Sequence, residues 1–184
     1  MNKEQGRAFE TFVKAEGDSL LRIAVLMASD RQLAEDVVQR TLERLAARWE
    51  RVGSPKAFCR RVLMNLLADD ARAAARRPRE QPFSPAYENP DPFAQDGLRA
   101  VELRPALLGA LESLTPHQRA IVVLRYFDDR SDAEVSVALG VSVGTVKSTA
   151  SRAVARLRAH PSLAGLFSPD DSSSLTRGIL HAHH

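Results

Sequence analysis

The stretch Ser131-Asp-Ala-Glu-Val-Ser-Val-Ala-Leu-Gly140-Val-Ser-Val-Gly-Thr-Val-Lys-Ser-Thr-Ala-Ser-Arg-Ala-Val-Ala-Arg-Leu-Arg158 decides the fold. Ser131 followed three residues later by Glu134 is a capping box, in which each side chain bonds the other residue's backbone N–H at a helix start. A very short helix over 135–139 then meets Gly140, a residue suited to the left-handed conformation that closes a helix. Ser142 caps a second helix, on which Val143, Val146, Ala150, Val154 and Leu157 form an apolar stripe until Pro161 ends it. The other side is therefore predicted to present Thr145, Lys147, Ser148, Thr149, Ser151 and Arg152. A short helix, a glycine turn and a longer basic helix make a helix-turn-helix, whose second helix enters a major groove. Short hydroxyls and two cations suit base edges and phosphates, and no carboxylate is present to repel the backbone. An ordinary solvated helix face mixes both signs of charge.

Upstream, Thr115-Pro116-His117-Gln118 is a further capping box, opening a helix through Ile121, Leu124 and Phe127, and helical signal precedes it from about 105 to 114. Five of the ten prolines, Pro78, Pro82, Pro85, Pro90 and Pro92, then punctuate a stretch with little apolar periodicity. This predicts a linker over 78–97. It separates an N-terminal domain over 1–77 from a C-terminal domain over 98–160, and a polar tail over 161–184 follows. The N-terminal domain reads as three helices. Phe9, Phe12, Val13, Leu20, Ile23, Ala24 and Met27 stripe the first. Ser29 with Gln32 predicts a capping box for the second, lined by Ala34, Val37, Val38, Thr41, Leu42, Leu45 and Trp49. Ser54 and Pro55 restart the chain into the third, which carries Phe58, Val62, Leu63, Leu66 and Leu67 toward Arg77.

The composition agrees: 44% apolar with only 5% aromatic residues supports helical cores and disfavours sheets, so the expected fold is all-α, as two small helical domains. No apolar run approaches the roughly 18 residues of a membrane span, and charges run through 1–16 where a signal peptide would be apolar. A cytoplasmic protein is expected. Charge is unevenly spread. Arg40 to Arg79 holds eleven basic and four acidic residues, and Gly140 to His160 four basic and none acidic. Two basic zones suggest a polyanion touched in two places.

Enzyme readings fail on spacing. Gly140-Val-Ser-Val-Gly144 lacks the four intervening residues of a phosphate-binding loop, and its lysine does not follow a glycine directly. Asp69 and Asp70 are adjacent on a helix, about 100° apart, and read as salt-bridge partners of nearby arginines. His117, His160, His181, His183 and His184 match no structural zinc pattern. Cys59, the single cysteine, has no base partner in sequence and reads as a packed thiol. No catalytic residue, metal or cofactor is expected.

These residues resemble a known family. Leu114-Thr-Pro-His-Gln-Arg-Ala-Ile-Val-Val-Leu-Arg-Tyr126 and the helix-turn-helix are similar to region 4 of bacterial RNA polymerase sigma factors. Ala34-Glu-Asp-Val-Val-Gln39, Ser54-Pro-Lys-Ala-Phe-Cys-Arg-Arg-Val-Leu-Met-Asn65 and Asp70-Ala-Arg72 are similar to region 2. Having only these two regions and a short linker resembles the extracytoplasmic-function class, and Gly-Thr-Val-Lys-Ser resembles its actinobacterial sigma-E-like branch. The resemblance covers all but the tail, the linker and the extreme N-terminus. It implies a transcription initiation factor whose partners are core RNA polymerase, through the clamp of the largest subunit and the flap of the second-largest, and promoter DNA. An anti-sigma factor is a further candidate partner. Asp36 and Gln39, with Arg40 where the family often has an acid, would dock on the clamp. Arg51, Val52, Gly53, Ser54, Phe58, Arg61, Asn65 and Arg72 would bind the melted −10 strand. Thr145, Lys147, Ser148, Thr149, Ser151 and Arg152 would read the −35 duplex. The rival reading is a conventional homodimeric helix-turn-helix regulator.

Overall fold

The computed structural model describes residues 2–28, 30–74 and 97–163, and among them every regular element is a helix or helical turn. The chain divides into two compact units between Asn89 and Pro90. Apart from Gly97, the expected linker lies outside the described residues, as does the tail from 164 onward.

The N-terminal unit packs three helices, α1 (Lys3–Ala28), α2 (Arg31–Ala46) and α3 (Pro55–Ala74), pairwise against one another. Of the predicted stripe of α1 only Leu20, Ile23 and Ala24, toward its C-terminal end, are deeply buried, and Val25 and Leu26 join them. On α2 the buried set is Ala34, Val37, Val38, Thr41 and Leu45. Thr41 tolerates that place because its hydroxyl donates to the Val37 carbonyl at 2.8 Å. Asp30, not Ser29, caps α2: its carboxylate accepts from the Leu33 N–H at 3.1 Å. The helix starts one residue later than the capping-box reading requires, and there an anion complements the positive end of the helix dipole. Trp49 lies beyond α2 in a 3₁₀ turn, Trp49–Arg51, and stands edge-on to Phe9 with ring centres 5.3 Å apart. Arg60 of α3 is only 3% exposed. It is paired with Glu16 of α1 at 3.4 Å, and Lys56 reaches the same carboxylate at 2.7 Å.

The C-terminal unit runs α4 (Gly97–Glu112), α5 (Pro116–Val122), α6 (Asp132–Leu139) and α7 (Val143–Arg158). Both predicted capping boxes form, Thr115 with Gln118 and Ser131 with Glu134. After α5 the coil widens into one π turn over Val123–Phe127, closed by the Asp128 N–H donating to the Val123 carbonyl at 3.1 Å. Gly140 has φ +67°, the left-handed value its position called for, and Ser142 caps α7 by accepting from the Thr145 N–H.

Two expectations are corrected here. The buried stripe of α7 is Val146, Thr149, Ala150, Ala153 and Leu157, so Val143 stands outside it, 39% exposed, and Val154 is half-buried. The chain also keeps its order past Pro161: a 3₁₀ turn, Pro161–Leu163, packs against α4 and buries Leu163. Pro161 ends α7 for want of an N–H, but its fixed φ suits the tighter turn that follows.

Candidate nucleic-acid interface

Position on α7 follows from 100° of rotation per residue. The strip opposite the buried stripe consists of Gly144, Ser148, Ser151 and Ala155, all exposed and all small. Cations flank it on both sides, Arg152 and Arg156 with Thr145 on one flank, Lys147 and Arg158 on the other. The exposed face thus has a shallow middle and charged edges. Arg152 lies along the helix, its Nε donating to the Ser148 carbonyl at 3.3 Å. Thr149 does not belong to this face. It is 6% exposed, because three residues after Val146 and four before Ala153 it falls on the buried stripe. Arg156 and Arg158 were absent from the sequence-based set, although the same periodicity places Arg156 one turn beyond Arg152.

On α3, Phe58, Arg61, Asn65 and Arg72 are spaced by three, four and seven residues and fall within about 60° of one another. Arg61, Asn65 and Arg72 are exposed and Phe58 is half-buried, so its ring is shared between core and surface. Arg72 is held by Asp69 at 2.7 Å. Arg51, Gly53 and Ser54 are exposed, and Val52 half-buried, in the turn leading into this helix.

On α2, Asp36 and Gln39 are exposed. Gln39 donates to Glu43 at 3.0 Å. Arg40 donates to Asp36 at 3.2 Å and to Asp70 of α3 at 3.1 Å, so it ties the two helices together. An open trough beside it, between α1 and α2, is lined by Phe9, Leu21, Val38, Leu42 and Ala46, with Gln39 among its walls. Asp69 and Asp70 serve the arginines their spacing suggested. Burial pushes the Cys59 thiol up to about 11, with Arg60 opposing. Among the described residues no cluster of histidine, cysteine and carboxylate side chains could hold a metal, and no helix is long and apolar enough to cross a membrane.

The chain matches the family model of Sigma-70 region 2 over residues 12–77 and that of Sigma-70 region 4 over residues 104–157. It is 39% identical over 155 residues to the RNA polymerase sigma-E factor of Streptomyces coelicolor, covering 82% of this chain and 84% of that one. The chain belongs to the sigma-70 family of RNA polymerase sigma factors.

Other relatives agree on the class. The sigma-E factor of Streptomyces avermitilis is 37% identical over 153 residues, 82% of this chain and 83% of its own. The ECF RNA polymerase sigma factor SigL of Mycobacterium tuberculosis is 32% identical over 147 residues, 76% and 80%. The sigma factor is thus an extracytoplasmic-function type close to sigma-E. The Bartonella quintana sigma factor RpoE, solved in complex with the anti-sigma factor NepR, superposes with a TM-score of 0.63 at 24% identity, over 83% of this chain and 95% of that one. CnrH, solved with the cytosolic domain of CnrY, gives 0.62 at 24%, over 84% and 87%. These two establish the shared fold. The family is one of non-catalytic initiation factors, and this protein directs RNA polymerase to promoters. A conventional regulator is not favoured, since the N-terminal domain is a sigma region rather than a dimerisation module.

Proposed function

We propose that the two units divide promoter recognition, region 4 taking the −35 element as duplex and region 2 taking the −10 element as a separated strand. The observation that carries this reading is the exposed face of α7, with cations on both edges and no carboxylate. Thr145, Lys147, Ser148, Ser151 and Arg152, joined by Arg156 and Arg158, face the −35 duplex, and Thr149 supports the helix from within. On α3, the Phe58 ring gives an unstacked base a flat partner, the Asn65 amide can pair with a base edge, and Arg61 and Arg72 can hold phosphates. The turn from Arg51 to Ser54 borders that face.

Asp36 and Gln39 dock the clamp of core polymerase, with Arg40 holding the Asp36 carboxylate in place and the neighbouring trough offering an apolar contact. The flap of the second-largest subunit receives region 4. An anti-sigma factor remains a candidate partner. The sigma factor catalyses no reaction of its own and works in the cytoplasm, where polymerase and DNA are. Runoff transcription with purified core polymerase, followed by start-site mapping, tests the reading. Specific starts, together with a stoichiometric complex formed without DNA, are expected. A palindromic footprint by a homodimer, with no polymerase complex, would overturn it.

A further inference from the structure

Among the described residues only two large apolar side chains stand well exposed, Val137 on α6 at 70% and Val143 on α7 at 39%. Val143 is the first residue of the helix that carries the acid-free face, one turn before Lys147. It is not the residue that staples the cap. The positions of a hydrophobic staple around the Ser142 cap belong to Val141 and Val146, and Val141 is further tied by its N–H donating to the Ser136 carbonyl at 3.1 Å.

The next residue makes a second, independent point. Gly144 is the second residue of α7, and a Cβ there would meet nothing nearer than the Ser142 hydroxyl at 3.8 Å. The fold itself therefore does not require a glycine at this place. Glycine without an internal reason, beside an apolar side chain that leaves more than a third of its surface open, describes a surface shaped for something that comes close from outside. In the major groove the one apolar feature a base pair offers is the C5-methyl of thymine.

We propose that Val143 reads the methyl group of a thymine in the −35 element, with Gly144 allowing the backbone to approach the groove floor. This rests on the assignment of α7 to the −35 duplex and goes beyond it by giving one position its base and its chemistry. Lys147, one turn on, takes the adjacent phosphate.

The test uses holoenzyme on a promoter duplex in which each thymine of the upstream element is replaced in turn by uracil, a change that removes only the methyl. Wild-type holoenzyme should lose about four-fold in affinity at one such position, the worth of one buried methyl group. Val143→Ala should bind the unmodified duplex more weakly by a similar factor and be indifferent to uracil at that position. Val143→Thr, close to isosteric, should lie between and guards against an effect of altered helix packing. Gly144→Ala should leave helicity intact and weaken every duplex alike. A wild-type profile flat across all thymines overturns the proposal, as does a Val143→Ala profile identical to wild type. Gly144→Ala binding at full strength removes the close approach. If wild-type holoenzyme ignores the upstream element altogether, the −35 assignment itself falls and takes the proposal with it.

Discussion

At the scale of single residues, chemistry separates side chains that charge alone would pool. Lys147 and Arg152 are five positions apart, about 140° around α7, and stand on opposite flanks. A guanidinium fork can pair with a guanine edge, whereas an ammonium is a point charge suited to phosphate. Arg152→Ala should therefore cost roughly 1–3 kcal/mol on the correct duplex and much less on one altered at the base it reads. Lys147→Ala should weaken both duplexes alike. Titrations of holoenzyme on the matched and mutated duplexes check both, and a uniform loss for Arg152→Ala would make that residue a backbone clamp. Cys59 offers a different measurement. Fully buried and with its thiol pushed up to about 11, it should resist alkylation at neutral pH until the N-terminal unit unfolds. Labelling that precedes the loss of helicity would mean that the core around α3 opens locally. The burial of Cys59 was legible from its lack of a partner in sequence. The inward turn of Thr149 was not, because a hydroxyl on a DNA-facing helix reads as a donor until Val146 and Ala153 show where the core lies.

Between residues and the whole stand the helices, and here the caps were the most readable signals. Ser131 and Glu134, Thr115 and Gln118, Gly140 and Ser142 stand where their backbone chemistry required. What the pattern missed were one-residue choices, Asp30 in place of Ser29 and Ala153 in place of Val154, which neighbouring helices decide. The Glu134 carboxylate accepts from the Ser131 N–H and hydroxyl and pairs with Arg130, which holds it down at about 2 against an ordinary 4.5. A depressed carboxylate stabilises the fold above its unfolded value and loses that stabilisation as pH falls toward the folded one. The C-terminal unit should therefore weaken between about pH 4.5 and 2, by less than about 1 kcal/mol because the side chain is half exposed. Glu134→Gln should flatten this part of the acid-unfolding curve, and an unchanged curve would refute the assignment. On α2, Asp36→Arg should abolish association with core polymerase while altering stability by only about 0.5 kcal/mol, since the side chain is 59% exposed. Polymerase binding at full strength would take the docking role from this helix.

For the molecule as a whole, each unit closes its own core: Leu20, Val37 and Leu63 in one, Leu111, Ile121 and Leu163 in the other. Limited proteolysis should cut first within 79–97, where the sequence has prolines and little apolar periodicity, and leave two resistant fragments that each retain helicity. A single protected fragment spanning that stretch would count against independent units. The two-domain organisation was legible from proline spacing, but the turn after α7 was not, because Pro161 signals the stop of a helix and says nothing of Leu163 packing against α4. The faces of α7 and α3 also differ in a way that charge totals conceal. Arg72 is paired with Asp69, whereas Lys147, Arg152 and Arg156 stand on a helix whose own residues include no acid. In the proposed −35 contact each of those three would displace a condensed counterion from duplex DNA, and the entropy of the released ions, at a log–log slope of about −0.9 for each phosphate met, would become a large part of what holds region 4 to a promoter. On that contact, the ionic strength around the polymerase would set how many weak promoters this sigma factor can reach.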